Sequence, residues 1–200
     1  MFFKIGSIKK LMQKAYKGEG LTVGRDPYDE NRHAGYYISG KGWTIWNDER
    51  QIPNVLKAAI VEFCGNLPEY GEEFMAQAGT DYLQRQIQDG TMHLPDCKVD
   101  AGVLWEPTPL YIVRTGTYRI LQSNGNRIET VAIPSGYWDM VKPDEIDSGA
   151  GESNCQGPYR YGTAAIWRNN ICWFKAQTYC AEVDADLFRH LDKYNINGEK

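Results

Sequence analysis

Apolar residues recur at helical spacing near the start of the chain. Between Ser7 and Lys17 they stand three or four positions apart, and lysines occupy many of the remaining positions. This period places the apolar side chains on one face of an α-helix and the lysines on the other. Ser7 is a favoured N-cap, and Gly18 is a favoured C-terminal stop. The pattern predicts a helix over residues 7–17 that docks on the core with solvated lysines; a basic face that touches a membrane or a nucleic acid is the alternative.

Two segments rich in aromatic and β-branched residues follow. Residues 35–39 and 43–46 flank a short glycine-containing turn, which favours a β-hairpin. A second helix is predicted from about Pro53, because proline is tolerated at the first helical position. Gly65 ends this helix. The residues expected to form its buried stripe are Val55, Leu56, Ala59, Ile60 and Phe63.

The pattern is weaker over the next forty or so residues. An extended segment is predicted at residues 74–75, and Thr80 is expected to cap a helix that carries Leu83 and Ile87. Residues 91–109 contain three prolines and no clear period. We therefore predict that this segment connects two halves of the protein.

The second half has the alternation of β-strands. An Asn124-Gly125 pair favours a tight hairpin turn, because both central positions of a type I′ turn need positive φ. Residues 143–161 are polar and glycine-rich, which predicts a mobile loop. Asp184 is expected to cap a terminal helix with Leu187, Phe188 and Leu191 facing inward. Strands are predicted at residues 110–113, 117–121, 127–133, 137–141, 164–167 and 171–176.

These elements predict an α+β fold, with antiparallel β-sheets built from hairpins and three to four packed helices. The expected division is a helix-rich α+β half at residues 1–90, a connector at 91–109, and a β-rich half with a C-terminal helix at 110–200. One continuous domain is the alternative, because 200 residues suit either arrangement.

Composition narrows the choice of partner. A net charge of −4, from 22 basic and 26 acidic residues, argues against a protein that coats nucleic acid, so direct nucleic-acid binding is not expected. The charge is uneven, because residues 1–30 carry six basic and four acidic side chains, a net of +2. No apolar run approaches the ~20 residues that span a bilayer, so we expect no membrane association.

The cysteines indicate a reducing compartment. Their number is odd and their spacing is wide, which argues against a disulfide framework and predicts reduced thiols in a cytoplasmic protein. No CxxC pair is present, so a closed zinc site is not predicted. The sequence also lacks the nucleotide-binding glycine motifs, and we expect neither a metal nor another cofactor. The five cysteines are Cys64, Cys97, Cys155, Cys172 and Cys180.

The sequence contains one candidate catalytic nucleophile. Cys155 lies in a polar loop next to Gly157, where a thiol can be exposed and activated by a distant histidine. His190, with Asp192 nearby, is the candidate partner. A cysteine-dependent hydrolase is therefore an alternative to a non-enzymatic protein. No signature of a known cysteine hydrolase surrounds Cys155.

A cluster of acids suggests a surface for binding a partner. Five acids lie between residues 139 and 152, where Lys142 is the single base, and such an element suits a basic groove on another protein. Exposed Trp and Tyr side chains also stack on sugars or bases, which keeps a carbohydrate or small-ligand binder as a further alternative. The predicted contact residues are Asp139, Asp144, Glu145, Asp147 and Glu152, with Tyr159 and Tyr161 as aromatic anchors.

Part of the chain resembles small uncharacterised proteins of gut-type bacteria and their phages or mobile elements. The resemblance covers about residues 8–75. It implies a prokaryotic or phage setting, in which motif-poor proteins often bind and block a host machine, as anti-CRISPR proteins do. The expectation is thus an inhibitor that binds a protein partner such as a nuclease effector complex with its guide RNA. The residues that carry the resemblance lie at 20–24, 36–39, 43–46, 52–62, 67–68 and 71.

Overall fold

The protein is a mixed α+β structure in which the strands pair mostly antiparallel, as predicted. The computed structural model describes residues 2–28, 30, 34–80, 84–87, 103–123, 128–142, 156–179 and 184–198. The chain divides into two compact units. The first lies within residues 3–97 and 169–174, and the second takes Phe2 with residues 98–168 and 175–200.

The first unit combines two helices with a sheet. Its strands follow the order β5-β4-β1-β2-β3, with antiparallel pairing from β1 to β5. Strand β11 lies next to β3, and its first three residues belong to this unit. The elements are α1 (Ile5–Lys17), β1 (Leu21–Arg25), β2 (Gly35–Gly40), β3 (Trp43–Asp48), α2 (Asn54–Cys64), β4 (Glu72–Ala76), β5 (Gln84–Ile87) and β11 (Cys172–Gln177).

The first helix begins earlier than the sequence suggested. Helix α1 starts at Ile5 with Lys4 at the N-cap position, so Ser7 lies inside the helix and does not cap it. Ile8 and Met12 are fully buried, as their spacing predicted. The backbone N–H of Gly18 donates to the Ala15 carbonyl and ends the helix. The two buried side chains fix α1 through apolar contact, which leaves its lysines at the surface.

The second helix confirms most of its predicted stripe. Leu56, Ala59 and Ile60 are buried on the inner side of α2, whereas Val55 is 56% exposed, contrary to prediction. Val55 lies at the edge of the buried side, because at about 100° per residue its position is about 90° from the mean direction of the three buried side chains. Gly65 ends the helix with a φ of 83°, a conformation that glycine adopts without strain.

The helix predicted after Thr80 is wrong. Residues Gln84–Ile87 form strand β5, which pairs antiparallel with β4. Two apolar residues are too few to stabilise a helix through a buried face. Pairing along β4, in contrast, provides backbone hydrogen-bond partners for this short segment.

The second unit contains a three-stranded sheet of order β6-β7-β8 and an antiparallel pair of β9 and β10. The meander of this unit and strand β10 agree with the prediction, as does β11. The predicted tight turn at Asn124-Gly125 lies outside the described residues. The elements are β6 (Trp105–Val113), β7 (Thr117–Ser123), β8 (Thr130–Pro134), α3 (Ser135–Trp138), β9 (Gln156–Tyr161), β10 (Ala164–Arg168) and α4 (Ala185–Leu191).

Three predictions for this unit need correction. Strand β6 includes Pro107 and Pro109, which had been assigned to the irregular connector; an edge strand tolerates proline because some of its N–H groups have no strand to pair with. Residues 135–138 form the short helix α3, where a strand at 137–141 had been expected. Strand β9 occupies the end of the predicted mobile loop, and residues 143–155 lie outside the described residues.

Helix α4 packs on one face of the three-stranded sheet. Ile112, Ile120 and Ala132 form the buried centre of this contact, and Phe188 and Leu191 pack against it. Leu187, which was expected to face inward, is 39% exposed. The apolar side of this seven-residue helix is therefore narrow, and polar groups at its two ends contribute to its attachment.

Candidate functional site

Aromatic rings surround an arginine at the end of β1. The guanidinium carbon of Arg25 lies 3.6 Å from the ring centroid of Tyr70 and 5.2 Å from that of Tyr36. Its Nη2 and Nε atoms donate to one oxygen of Glu49 at 2.6 and 3.2 Å. The Tyr70 hydroxyl donates to the other oxygen at 3.2 Å, and the ring of Tyr28 meets that of Tyr70 edge-on at 5.6 Å. These five residues form the Arg25 cluster.

The Arg25 cluster is charged and held in one geometry. Burial opposes the charge of Arg25, but the hydrogen bond to Glu49 and the neighbouring charges outweigh it and raise the pKa of Arg25. Burial also raises the pKa of Tyr36, against the opposing charge of Arg25. The Arg25 and Glu49 side chains are only 20% and 24% exposed. Tyr28 and Tyr70, in contrast, are 68% and 43% exposed.

A buried carboxylate supports the start of the loop that carries Tyr28. The Trp46 indole N–H and the Gly35 backbone N–H both donate to Oδ2 of Asp26, at 2.7 and 2.9 Å. A Cβ atom at Gly35 would stand 2.3 Å from the Trp46 ring, so only glycine lets the indole reach across β2. Asp26 follows Arg25 directly, and this contact therefore positions the chain between the arginine and Tyr28.

A second carboxylate on the same side of the sheet is bound in a similar way. Glu73, Gly24 and Tyr37 stand opposite one another on β4, β1 and β2. The Tyr37 hydroxyl donates to Oε2 of Glu73 at 2.8 Å, across Gly24. Burial, the hydrogen bond to Glu73 and the nearby carboxylates raise the pKa of Tyr37 far above its ordinary value. The phenol thus remains a protonated donor, and its bond links strands on both sides of β1.

The Arg25 cluster is suited to recognition of another surface. Tyr and Arg dominate the energetics of many protein interfaces, because they combine large apolar area with hydrogen-bonding groups. Side chains that are already held in place lose less conformational entropy on binding. Tyr28 and Tyr70 meet both conditions, since they are exposed and in contact with each other, and Tyr70 is stacked on Arg25.

The sequence did not nominate these residues, because their proximity depends on the sheet. Arg25 stands opposite Tyr36 in the register of β1 and β2, whereas Glu49 and Tyr70 come from separate loops. One signal was available in Gly24 and Gly35. A glycine inside a strand pattern often marks the close approach of another group, which here is an aromatic ring.

The predicted partner-binding residues are only partly placed. Asp139 is exposed directly after α3. Tyr159 and Tyr161 are half-buried two residues apart on β9, so the strand brings them to one face. Arg168 lies 5.9 Å from the Tyr159 ring, and Lys175 lies 5.8 Å from the Tyr161 ring. The remaining predicted acids, which lie outside the described residues, are Asp144, Glu145, Asp147 and Glu152.

The predicted catalytic pair is placed in part. His190 is exposed in the last turn of α4, where its ring lies 5.1 Å from that of Tyr194. Cys155 falls outside the described residues. Two other cysteines are buried, and burial raises the pKa of the Cys64 thiol to about 11. Cys64 is therefore protonated at neutral pH and unsuited to nucleophilic attack.

Neither a metal site nor a membrane-spanning helix is found in the part of the chain that the structure describes. Among the described residues, no group of three or more His, Cys, Asp or Glu side chains is arranged to hold a metal ion. The described helices are all too short or too polar to cross a membrane.

No protein-family model, no curated protein and no solved structure matches the chain.

Proposed function

We propose that this protein is a non-enzymatic binding protein that recognises another protein through the Arg25 cluster. The observation that carries the proposal is the pair of exposed tyrosines, Tyr28 and Tyr70, next to an arginine that is fixed by Glu49. An exposed aromatic pair beside a charged group gives a partner both apolar area and a polar contact.

The more specific proposal is that the protein inhibits a bacterial nucleic-acid-targeting defence complex, as anti-CRISPR proteins do. The resemblance to proteins of bacteria and mobile elements supports this setting, and Tyr36 of the Arg25 cluster is among the residues that carry it. The acidic residues at 139–152 provide a second contact for a basic channel on such a complex. In this proposal the tyrosines supply affinity and the acids guide the encounter.

A carbohydrate ligand is the second candidate for the same surface. Tyr28 and Tyr70 expose ring surface on which a sugar can stack, and Glu49 and Arg25 lie beside them. A glycan array separates the two candidates. Binding to a defined glycan that is lost in the Tyr70→Ala variant would favour a carbohydrate ligand over a protein partner.

Co-purification with candidate effector nucleases, with and without guide RNA, tests the proposal. We expect Tyr28→Ala and Tyr70→Ala to weaken the complex at least tenfold, because each removes an aromatic anchor. Tyr111→Ala is the matched control, since Tyr111 is 49% exposed and lies on the second unit. Tyrosine variants that bind like the wild type would contradict the role of the Arg25 cluster.

The Arg25→Ala variant tests whether the fixed position of the Tyr70 ring contributes to affinity separately from the area of that ring. It keeps both tyrosines but removes the group on which Tyr70 stacks. We expect a loss of affinity between that of the control and that of Tyr70→Ala, because the ring must then be ordered during binding. If no effector binds and infection assays show intact immunity, the inhibitor proposal fails.

A further inference from the structure

Helix α1 carries positive charge that no acid within the helix balances. Its thirteen residues include four lysines and no Asp or Glu. Lys9 binds Glu62 of α2 at 2.8 Å. Lys10, Lys14 and Lys17 are exposed, and none of them forms an ion pair among the residues that the structure describes. These three residues form the lysine face.

The three lysines of the lysine face lie in a row along a helix whose opposite side is buried. At a rise of 1.5 Å per residue, Lys14 lies ~6 Å and Lys17 ~10 Å along the axis from Lys10. The three positions point to within about 60° of one direction, at 100° per residue. Ile8 and Met12, on the opposite side of the helix, have no exposed surface. The lysines therefore project outward from a helix whose apolar side is fixed in the core.

The charge of the lysine face is opposite in sign to the net charge of the rest of the chain. The chain has 22 basic and 26 acidic residues. Without Lys10, Lys14 and Lys17, 19 basic residues remain against 26 acidic ones, a net of −7. Lysines three and four positions apart also repel each other within the helix. An external anion would relieve this repulsion.

We propose that the lysine face binds the phosphodiester backbone of a nucleic acid. A phosphate backbone presents a negative charge at every nucleotide, so a row of three lysines can contact successive phosphates. A membrane is the poorer occupant, because the apolar side of α1 is buried in the protein and is not available for insertion. Contacts to the phosphate backbone carry no sequence information, so we expect binding without sequence preference.

This inference does not depend on the Arg25 cluster. It departs from the expectation of no nucleic-acid binding, because that expectation rested on the net charge of the whole chain and this inference rests on one helix face. Three phosphate contacts imply a salt dependence of about −2.7 in log K against log salt for a duplex, and about −2 for a single strand. The contact is therefore expected to be measurable at low salt and weak at physiological salt.

Fluorescence anisotropy of labelled duplex DNA and single-stranded RNA with the full chain tests the inference. We expect the triple variant Lys10→Gln, Lys14→Gln, Lys17→Gln to lose at least tenfold in affinity at 50 mM salt or below, and to lose most of the salt slope. The control variant replaces Arg189 and Lys193, which are exposed in the second unit, by glutamine. Thermal unfolding shows whether each variant remains folded.

Two further ligands show whether the lysine face binds a nucleic acid or another kind of anion. Phosphatidylserine vesicles and poly-glutamate are offered to the same proteins. Binding to vesicles or poly-glutamate without binding to nucleic acid would overturn the inference, as would a triple variant that binds nucleic acid like the wild type. Tyr70→Ala should leave nucleic-acid binding unchanged, so failure here is distinct from failure of the proposed protein contact.

Discussion

Buried polar side chains have different roles in the two units. In the first unit, Asp26 and Glu73 receive hydrogen bonds from aromatic side chains of strands in the same sheet. In the second unit, Gln122 and Asp184 contribute to the attachment of the C-terminal helix. The first arrangement fixes the strands beside the Arg25 cluster, whereas the second fixes one peripheral segment.

The contacts of Gln122 illustrate the second role. Its amide nitrogen lies 3.2 Å from the Leu191 carbonyl and 3.0 Å from the Tyr194 carbonyl, and its amide oxygen accepts from the Ile196 N–H at 2.9 Å. A helix end leaves carbonyls without intrahelical partners, and Gln122 supplies a donor there. Loss of this side chain should therefore affect the C-terminal segment before the sheet itself.

The largest effect is expected from Gly24→Ala. The new Cβ atom would stand 2.1 Å from the Tyr37 ring, which must move and give up its bond to Glu73. Steric displacement and the lost bond to a charged group together should cost about 4 kcal/mol of unfolding free energy. Urea unfolding provides the measurement.

Two controls sharpen this result. Gly6→Ala should leave stability equal or slightly higher, because no atom lies within 4 Å of the new Cβ and alanine favours a helix. In a Tyr37→Ala background the Gly24→Ala change should cost little, since the ring is gone. Equal costs in both backgrounds would contradict the steric account.

A smaller and more local effect is expected from Gln122→Leu. This change leaves the Leu191 and Tyr194 carbonyls and the Ile196 N–H without the side chain that binds them. We expect a loss of about 2 kcal/mol and faster amide hydrogen exchange at residues 185–198. Exchange in β1–β4 should remain as in the wild type. Uniformly faster exchange in both units would show that the two roles are not separate.

The smallest effect is a pH dependence at Asp184. Hydrogen bonds from Arg114 and Tyr179 hold the pKa of this carboxyl below its usual range. Asp184 therefore stabilises the fold above the pKa of an unfolded aspartate, ~3.9, and this contribution is lost as the pH falls through the lower folded value. Urea titrations between pH 6 and pH 2 should show a smaller acid-linked loss in Asp184→Asn than in the wild type. Asp186→Asn, on the same helix but with a side chain that is 90% exposed, is the control variant.

Local pattern predicted the elements but not the site. Helix α1 and the β2–β3 hairpin followed from spacing and turn residues that lie within a few positions of one another. Strand β5 was mistaken for a helix because its stability depends on a neighbour, β4, and not on its own period. The Arg25 cluster was missed for the same reason, since Arg25, Glu49 and Tyr70 meet only after the sheet has formed.

The two prolines of β6 have a consequence for the behaviour of the protein at high concentration. An edge strand with exposed apolar side chains is a template for strand addition and the growth of cross-β fibrils. Leu110, Tyr111 and Val113 give β6 this character, with Val113 70% exposed. Pro107 and Pro109 lack backbone N–H groups, so an incoming strand cannot form a continuous hydrogen-bond ladder along β6. We therefore expect Pro107 and Pro109 to limit self-assembly at this edge.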